Sequence, residues 1–381
     1  MTESASVDKD QSFVEQVRVF ANTSVKACAA DWSMGESPSD KLYHRASELG
    51  ITGIEVPCEN GGQGYSFSVK AFVCEELAKA DFGFTMSLVN THNVAHRLCI
   101  SAQAAVRDKY LPALLAGRTS ACTALTEPST GSDLAAIQTH ASLTANGWIL
   151  NGEKSWLVNG RHAGLAIVFA QCDESGSSDG VAAFVVDLTL PGVTRYPIDT
   201  GFSQTSIGTG GFMLEQVAIG KDHLLLEKGI AFKSILNEIN GARVYVAVMC
   251  NGMLSAAIEE VRQYGEHRRT FGKPLIAHES WLRVVMDAES DLQESRLLAA
   301  DAVPLVASAQ DAQLAAINAK IKAVDTCQKQ LPLLLHLMGA EGLRAEYCFT
   351  RHLAAVQMAG LTDGATSLLR DRAAKLQRKQ T

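Results

Sequence analysis

Apolar residues recur at intervals of three and four between about residues 11 and 119, in SFVEQVRVFANTSVKACAADW, SDKLYHRASELG, SVKAFVCEELAKADFGF and SAQAAVRDKYLPALLAG. That period places them on one face of a helix, and each run closes near a Gly or a polar turn. Between about 122 and 225 the texture changes to short β-rich runs, GWILNGEKSWLVN, GLAIVFAQC, GVAAFVVDL and FMLEQVAI, separated by GSSDG, PGV and GTGG. From about 229 the helical period returns in RVYVAVMCNGMLSAAIEEVRQYGEHRR, SWLRVVMDAESDLQESRLLAADAV and DAQLAAINAKIKAVDTCQKQLPLLLHLMG. The pattern predicts an α+β protein. Its parts are an N-terminal helical domain at 1–120, a compact antiparallel β domain at 121–226 and a C-terminal helical bundle at 227–381 with four or five long helices.

Composition narrows the function classes. With 381 residues and 47% apolar content the chain can bury a large core. Its formal charge of -7, from 34 Lys+Arg against 41 Asp+Glu, is spread without basic blocks, which favours a small-molecule ligand over nucleic acid. No apolar stretch approaches the roughly 18 residues of a membrane span, and the opening MTESASVDKD is polar, so a cytoplasmic protein without membrane contact is expected. Nine cysteines lie far apart with no CxxC pair; buried thiols are expected, with no metal. No GxGxxG follows a strand, which disfavours a Rossmann dinucleotide site.

Four segments carry candidate chemistry. Thr126 to Asp133 (TEPSTGSD) groups hydroxyls, a small Gly and free backbone amides, which suits either a plain turn or a loop that hydrogen-bonds a polar ring edge. Asn151, Gly152, Glu153 and Lys154 read as a type I′ hairpin signal, and the nearby Trp156 is either core or an apolar wall for a ligand. Arg268 in EHRRTFGKPL is either a basic helix end or a phosphate ligand, since its planar fork matches a phosphate. His336 sits beside an apolar run, and Asp363 either caps a helix after a turn or offers a functional carboxylate.

TEPSTGSD, NGEKSWLVNG, EHRRTFGKPL and MGAEG at 338–342, in that order and joined by GGQG at 61–64, resemble the motif set of the acyl-CoA dehydrogenases over nearly the whole chain. The resemblance implies FAD as cofactor, with Leu125, Thr126, Ser132, Trp156, Leu157 and Val158 against the isoalloxazine. Arg268, Thr270 and Phe271 would hold the diphosphate and adenine of FAD from a neighbouring subunit. His336, Gly339 and Ala340 would face the same dinucleotide, and Ala365 and Ser367 stand where the family commonly has Thr and Gln on the cofactor. Val158 replaces a usual Thr whose hydroxyl reaches flavin N5, leaving its backbone amide. The implied assembly is a homotetramer, a dimer of dimers, which passes electrons to an electron-transfer flavoprotein.

The implied reaction removes an α proton to a carboxylate while the β hydrogen leaves as hydride to flavin N5. The family's base is a Glu in a Tyr-Glu-Gly-Thr stretch; here Thr362, Asp363, Gly364 and Ala365 match it. The alternative base position is Ala242, which leaves Asp363 as the base, with Arg243 beside the thioester end. Ser132, Asn240, Arg243, Thr362 and Gly364 are the expected substrate contacts. One methylene shorter than Glu, Asp363 requires a rebuilt pocket, as for a branched or cyclic acyl group. Coenzyme A or a carrier protein would present the thioester. The departures at Val158, Ala365 and Ser367 also admit a flavin monooxygenase on the same fold, against which Asp363 argues.

Overall fold

The structure, a computed structural model, describes residues 3–172, 177–200 and 204–378. Six helices open the chain: α1 (Glu3–Phe20), α2 (Lys26–Ser33), α3 (Asp40–Glu48), α4 (Phe67–Ala80), α5 (Phe82–Ser101) and α6 (Ala104–Leu115). Their apolar faces meet in a core around Val17, Trp32, Leu77 and Phe84. The start of α5 is fixed by Asp81, whose carboxylate accepts the Phe84 N–H at 2.7 Å and the Ser206 hydroxyl at 2.6 Å, tying this domain to the next.

Eight strands follow: β1 (Ala121–Ala124), β2 (His140–Thr144), β3 (Gly147–Leu157), β4 (Leu165–Gln171), β5 (Val181–Asp187), β6 (Val193–Pro197), β7 (Gly210–Ile219) and β8 (Leu224–Leu226). Their order is β6-β7-β3-β2-β4-β5-β8, with β1 on β4. The GSSDG turn before β5 begins at Gly176, outside the described residues. β4 is buried throughout: Leu165, Ile167 and Phe169 face the α5 and α6 side, while Ala166, Val168 and Ala170 face the interior of the sheet. Burial on both faces explains why the strand reads as a continuous apolar run.

Two expectations for this domain are corrected. The sheet is mixed, because β1 runs parallel to β4, and β2 meets β4 in parallel at His140 and Gln171. The other edge of β1 is taken by α5, where Thr91 Oγ1 and Asn90 Oδ1 accept the N–H groups of Ala121 and Thr123 at 3.2 and 3.0 Å. Asn151 and Gly152 make no hairpin turn; they lie inside β3, and the turn occupies residues 145–146. Gly152, at φ 144°, serves a β-bulge opposite β7, where a Cβ would stand 2.6 Å from Thr139 Cα. Asn151 Oδ1 is used by Gln216, whose N–H donates to it at 2.8 Å.

The chain closes with α7 (Ala231–His267), a short ribbon of β9 (Arg269–Thr270) and β10 (Lys273–Pro274), then α8 (Glu279–Ala307), α9 (Gln313–Met338), α10 (Phe349–Leu361) and α11 (Thr366–Gln377). Helix α7 runs through the centre, packed on α4, α8 and α9. It is long and apolar enough to cross a membrane by length and composition, contrary to the sequence expectation, but 83% of that window is buried within the fold. A helix apolar all round is a core helix in such a setting. Five of the nine cysteines are buried and Cys58 is exposed.

Candidate active site

The connection between α10 and α11 carries Thr362, Asp363 and Gly364. Asp363 adopts φ 52° and Gly364 φ 101°, so the chain turns through the left-handed region at two successive residues. Asp tolerates that conformation better than most residues, although it remains costly and persists only where surroundings impose it. Here two cations impose it. Lys320, on α9 and fully buried, donates to the carbonyls of Thr362 and Gly364, the latter at 2.6 Å. Arg243, on α7, donates through Nε to the Asp363 carbonyl at 3.1 Å and through Nη1 to Asn240 Oδ1 at 2.8 Å.

The capping role is not the one Asp363 plays. Ala365 precedes the first residue of α11, and no side chain caps that helix. The Asp363 carboxylate accepts only the Thr362 hydroxyl, at 3.4 Å, among the described residues. Burial raises its pKa above the ordinary Asp value, opposed by the charges of Lys320 and Arg243. Burial also pushes Lys320 down to about 8, partly restored by Asp363. The result is a half-buried carboxylate on a turn strapped through its backbone and left without strong donors. That arrangement suits proton uptake. Glu238, a spare carboxylate on α7, is instead engaged by Arg97.

Sequence reasoning missed Lys320. Its signal was present: in AINAKIKAV, Ala316, Ile317, Ala323 and Val324 flank it at helical spacing, which places a lone charge on the buried stripe. Lys154 was read only as part of a turn, and the structure gives it a structural task at the candidate site. It is buried, donates to Glu127 Oε1 at 2.8 Å and to the Leu125 carbonyl at 3.0 Å, while Glu127 accepts the N–H groups of Gln138 and Thr139 at 2.7 and 2.9 Å. A Ser155 N–H to Thr126 carbonyl bond of 3.0 Å completes the clamp. The TEPSTGSD loop is therefore bolted to β3.

Along that seam Thr126 and Leu125 are half-buried and Ser132 is exposed. Trp156 is 60% exposed at φ 57°, where the pairing of β3 with β7 breaks register, so it is no core residue. Leu157 points into the sheet interior and has only its backbone to offer a ligand, whereas Val158 packs against the bundle. Asn159 locks the strand end, donating through Nδ2 to the carbonyls of Ser87 and Ala121, both at 2.9 Å.

A second candidate region lies at the far end of α7. Arg268, Thr270, His336, Gly339 and Ala340 line one cleft of about 400 Å³, together with Tyr264 and Glu341. Arg268 forms no ion pair among the described residues, and Gly339, at φ 63°, has open space where a Cβ would point. Phe271 is 97% exposed at φ 48°. A free guanidinium, a bare glycine and an unpacked aromatic fit the diphosphate and ring system of FAD. None of Thr126, Ser132 or Trp156 lines this cleft, so the two candidate regions do not share it. Ala365 and Ser367 lie beside the Asp363 turn, at the start of α11, with Ser367 exposed.

Comparison with known proteins accounts for this layout. Profiles for the N-terminal, middle and C-terminal domains of acyl-CoA dehydrogenase match residues 8–118, 122–217 and 231–376. The short-chain specific acyl-CoA dehydrogenase of Homo sapiens is 27% identical over 362 residues, covering 94% of this chain and 88% of that protein. The cyclohex-1-ene-1-carbonyl-CoA dehydrogenase of Syntrophus aciditrophicus is 28% identical over 374 residues, covering 95% and 88%. The solved structure of butyryl-CoA dehydrogenase from Megasphaera elsdenii superposes with a TM-score of 0.91 at 25% identity, covering 96% of this chain and 97% of that one. With all three domains matched in order, the chain belongs to the acyl-CoA dehydrogenase family.

Proposed function

We propose that this oxidoreductase, which by its family acts on acyl-CoA with FAD as cofactor, desaturates the acyl group between its α and β carbons using Asp363 as the base. The observation that carries the reading is the Asp363 turn, strapped by Lys320 and Arg243 and excluded from capping α11. A carboxylate oxygen of Asp363 takes the α proton, and Lys320 and Arg243 keep that oxygen ionised until it does. FAD, when bound, supplies the acceptor for the β hydride, so that two electrons leave the substrate as its double bond forms. Trp156 offers the apolar wall and the Thr126 to Ser132 loop the polar edge, while the buried Glu127–Lys154 pair keeps both from drifting. Arg243 and Asn240 stand at the thioester end. A branched or cyclic acyl group and a cytoplasmic location remain part of the proposal. The test is anaerobic bleaching of the bound flavin against straight, branched and cyclic acyl-CoAs; bleaching by at least one is expected, and none by any overturns the reading.

The pH profile follows from the turn. A base must be ionised, and burial raises the Asp363 pKa, so kcat/KM should rise with pH through a midpoint above the ordinary Asp value. Removing the Lys320 charge takes away the largest influence that lowers this pKa, so Lys320→Met should move the acid limb to still higher pH. An unmoved acid limb in a folded, flavin-loaded variant would show that Lys320 serves only the backbone.

Assembly is proposed to be a homotetramer built as a dimer of dimers, in which the Trp156 seam of one chain and the Arg268 cleft of a second meet around one FAD. Arg268→Ala is expected to lose bound FAD and to weaken the assembly together, read as flavin per chain and as mass by light scattering. A monomer retaining full FAD contradicts it. An electron-transfer flavoprotein is the proposed acceptor.

A further inference from the structure

Between Asp363 and the N-terminal domain lies a run of buried and half-buried polar side chains that proton abstraction does not use. Tyr245, on α7 one turn beyond Ala242, is 5% exposed, and its hydroxyl pKa is raised well above normal, first by burial and then by the Asp363 charge. Asn93 of α5 donates through Nδ2 to the Tyr245 hydroxyl at 3.4 Å, and its Oδ1 accepts from Lys70 of α4 at 2.7 Å. Lys70 also donates to Glu55 Oε2 at 2.7 Å, and that same oxygen lies 3.1 Å from His92 Nε2. The ammonium of Lys70 stands 5.5 and 5.6 Å from the ring centres of Phe67 and Tyr245.

The rest of this contact between α4, α5 and α7 is apolar: Phe67, Met86, Val89, Ala242 and Val246 belong to one core cluster. Burying a Lys–Glu pair there gains little stability over packed apolar side chains of similar volume, because desolvation offsets the attraction. Stability alone therefore does not account for the run. Its free valence is at the Asp363 end, where the Tyr245 hydroxyl accepts from Asn93 but finds no acceptor for its own proton among the described residues. Burial alone would raise Glu55, yet Lys70 and His92 hold its carboxyl well below the usual range, so the charges of Lys70 and Glu55 cancel. With those charges cancelled, the run offers a ligand no unpaired positive charge, so a neutral oxygen is the partner that suits it.

We infer that the acyl group oxidised at Asp363 carries a neutral acceptor oxygen, a hydroxyl or carbonyl a few carbons beyond the reacting bond, and that Tyr245 and Asn93 bind it as specificity-determining residues. The inference rests on the proposed role of Asp363, whose charge acts on the buried Tyr245 hydroxyl. A site built to pair with a substrate oxygen rejects the analogue that lacks it far more strongly than an apolar pocket discriminates chain length.

The test compares hexanoyl-CoA with hexanoyl-CoA bearing an oxo or hydroxyl group on the next-to-last carbon, and the same pairs one carbon shorter. Flavin bleaching gives kcat/KM, and calorimetry on the Asp363→Asn protein gives dissociation constants without turnover. The oxygenated member of a pair should win by roughly tenfold or more in both readouts. In Tyr245→Phe and Asn93→Leu, the ratio should fall to one or invert. Equal or better use of the plain alkyl chain by the wild-type protein overturns the inference while leaving the desaturation reading intact. Failure of every thioester to bleach the flavin overturns both.

Discussion

Asp363→Asn should abolish most turnover while leaving the flavin spectrum and thioester binding in place. The substitution keeps the size of the side chain and its contact with the Thr362 hydroxyl, and it leaves untouched the backbone carbonyls of residues 362–364 that Lys320 and Arg243 hold. What disappears is the capacity to take a proton. General-base catalysis is worth about a hundred- to ten-thousandfold, and the rate of anaerobic flavin reduction should fall by that factor. Asp363→Glu separates reach from charge: it restores the carboxylate found elsewhere in the family but overreaches a pocket shaped for Asp, and partial activity on slimmer acyl chains is the expected result. Bleaching as fast as wild type in Asp363→Asn would remove this residue from the chemistry. Glu238 would be a poor substitute, held as it is by Arg97, which leaves Glu279 to be tried first.

The positions of these groups show which parts of the site the sequence makes legible. Helical period and short β runs were enough for the order of the domains, because each depends on local burial that a single segment reveals. The direction of β1 was not legible, since it depends on α5 side chains from some thirty residues earlier occupying one edge of the strand. Asn151 and Gly152 misled for a related reason: the same dipeptide that makes a tight turn also makes a bulge, and the choice lies with Thr139 and Gln216 on other segments. Asp363 was named through its motif, yet what holds its turn is a lysine 43 residues earlier whose partners are backbone carbonyls. Carbonyl partners leave no mark in a sequence, so the strap appears only when the fold is assembled. The polar run from Glu55 to Tyr245 has the same character, with each member unremarkable in its own segment.

Lys154→Met is expected to destabilise the β domain and release FAD together, because one buried pair holds both the fold and the cofactor loop. Lys154 is fully buried and Glu127 is only 4% exposed, and their 2.8 Å contact is the sole ion pair of either among the described residues. Burial pushes Lys154 down to about 8, with Glu127 drawing it back up, while burial raises Glu127 but Lys154 and the Thr139 and Gln138 donors together hold that carboxyl below its ordinary value. Removing one partner leaves the other as an uncompensated buried charge, a loss of roughly 3–5 kcal/mol in comparable cases. The backbone donors of Gln138 and Thr139 still serve Glu127, so the lower end of that range applies to Lys154→Met and the upper end to Glu127→Ala, which strands the ammonium with one carbonyl. The Leu125 carbonyl also loses its donor, freeing the loop that precedes Thr126 and Ser132. Urea unfolding of the flavin-free protein measures the first effect and flavin retained after gel filtration the second. Unchanged stability with lost flavin would mean that the pair shapes the loop alone, and a normal result in both would mean that the loop is held by its turn hydrogen bonds without the pair.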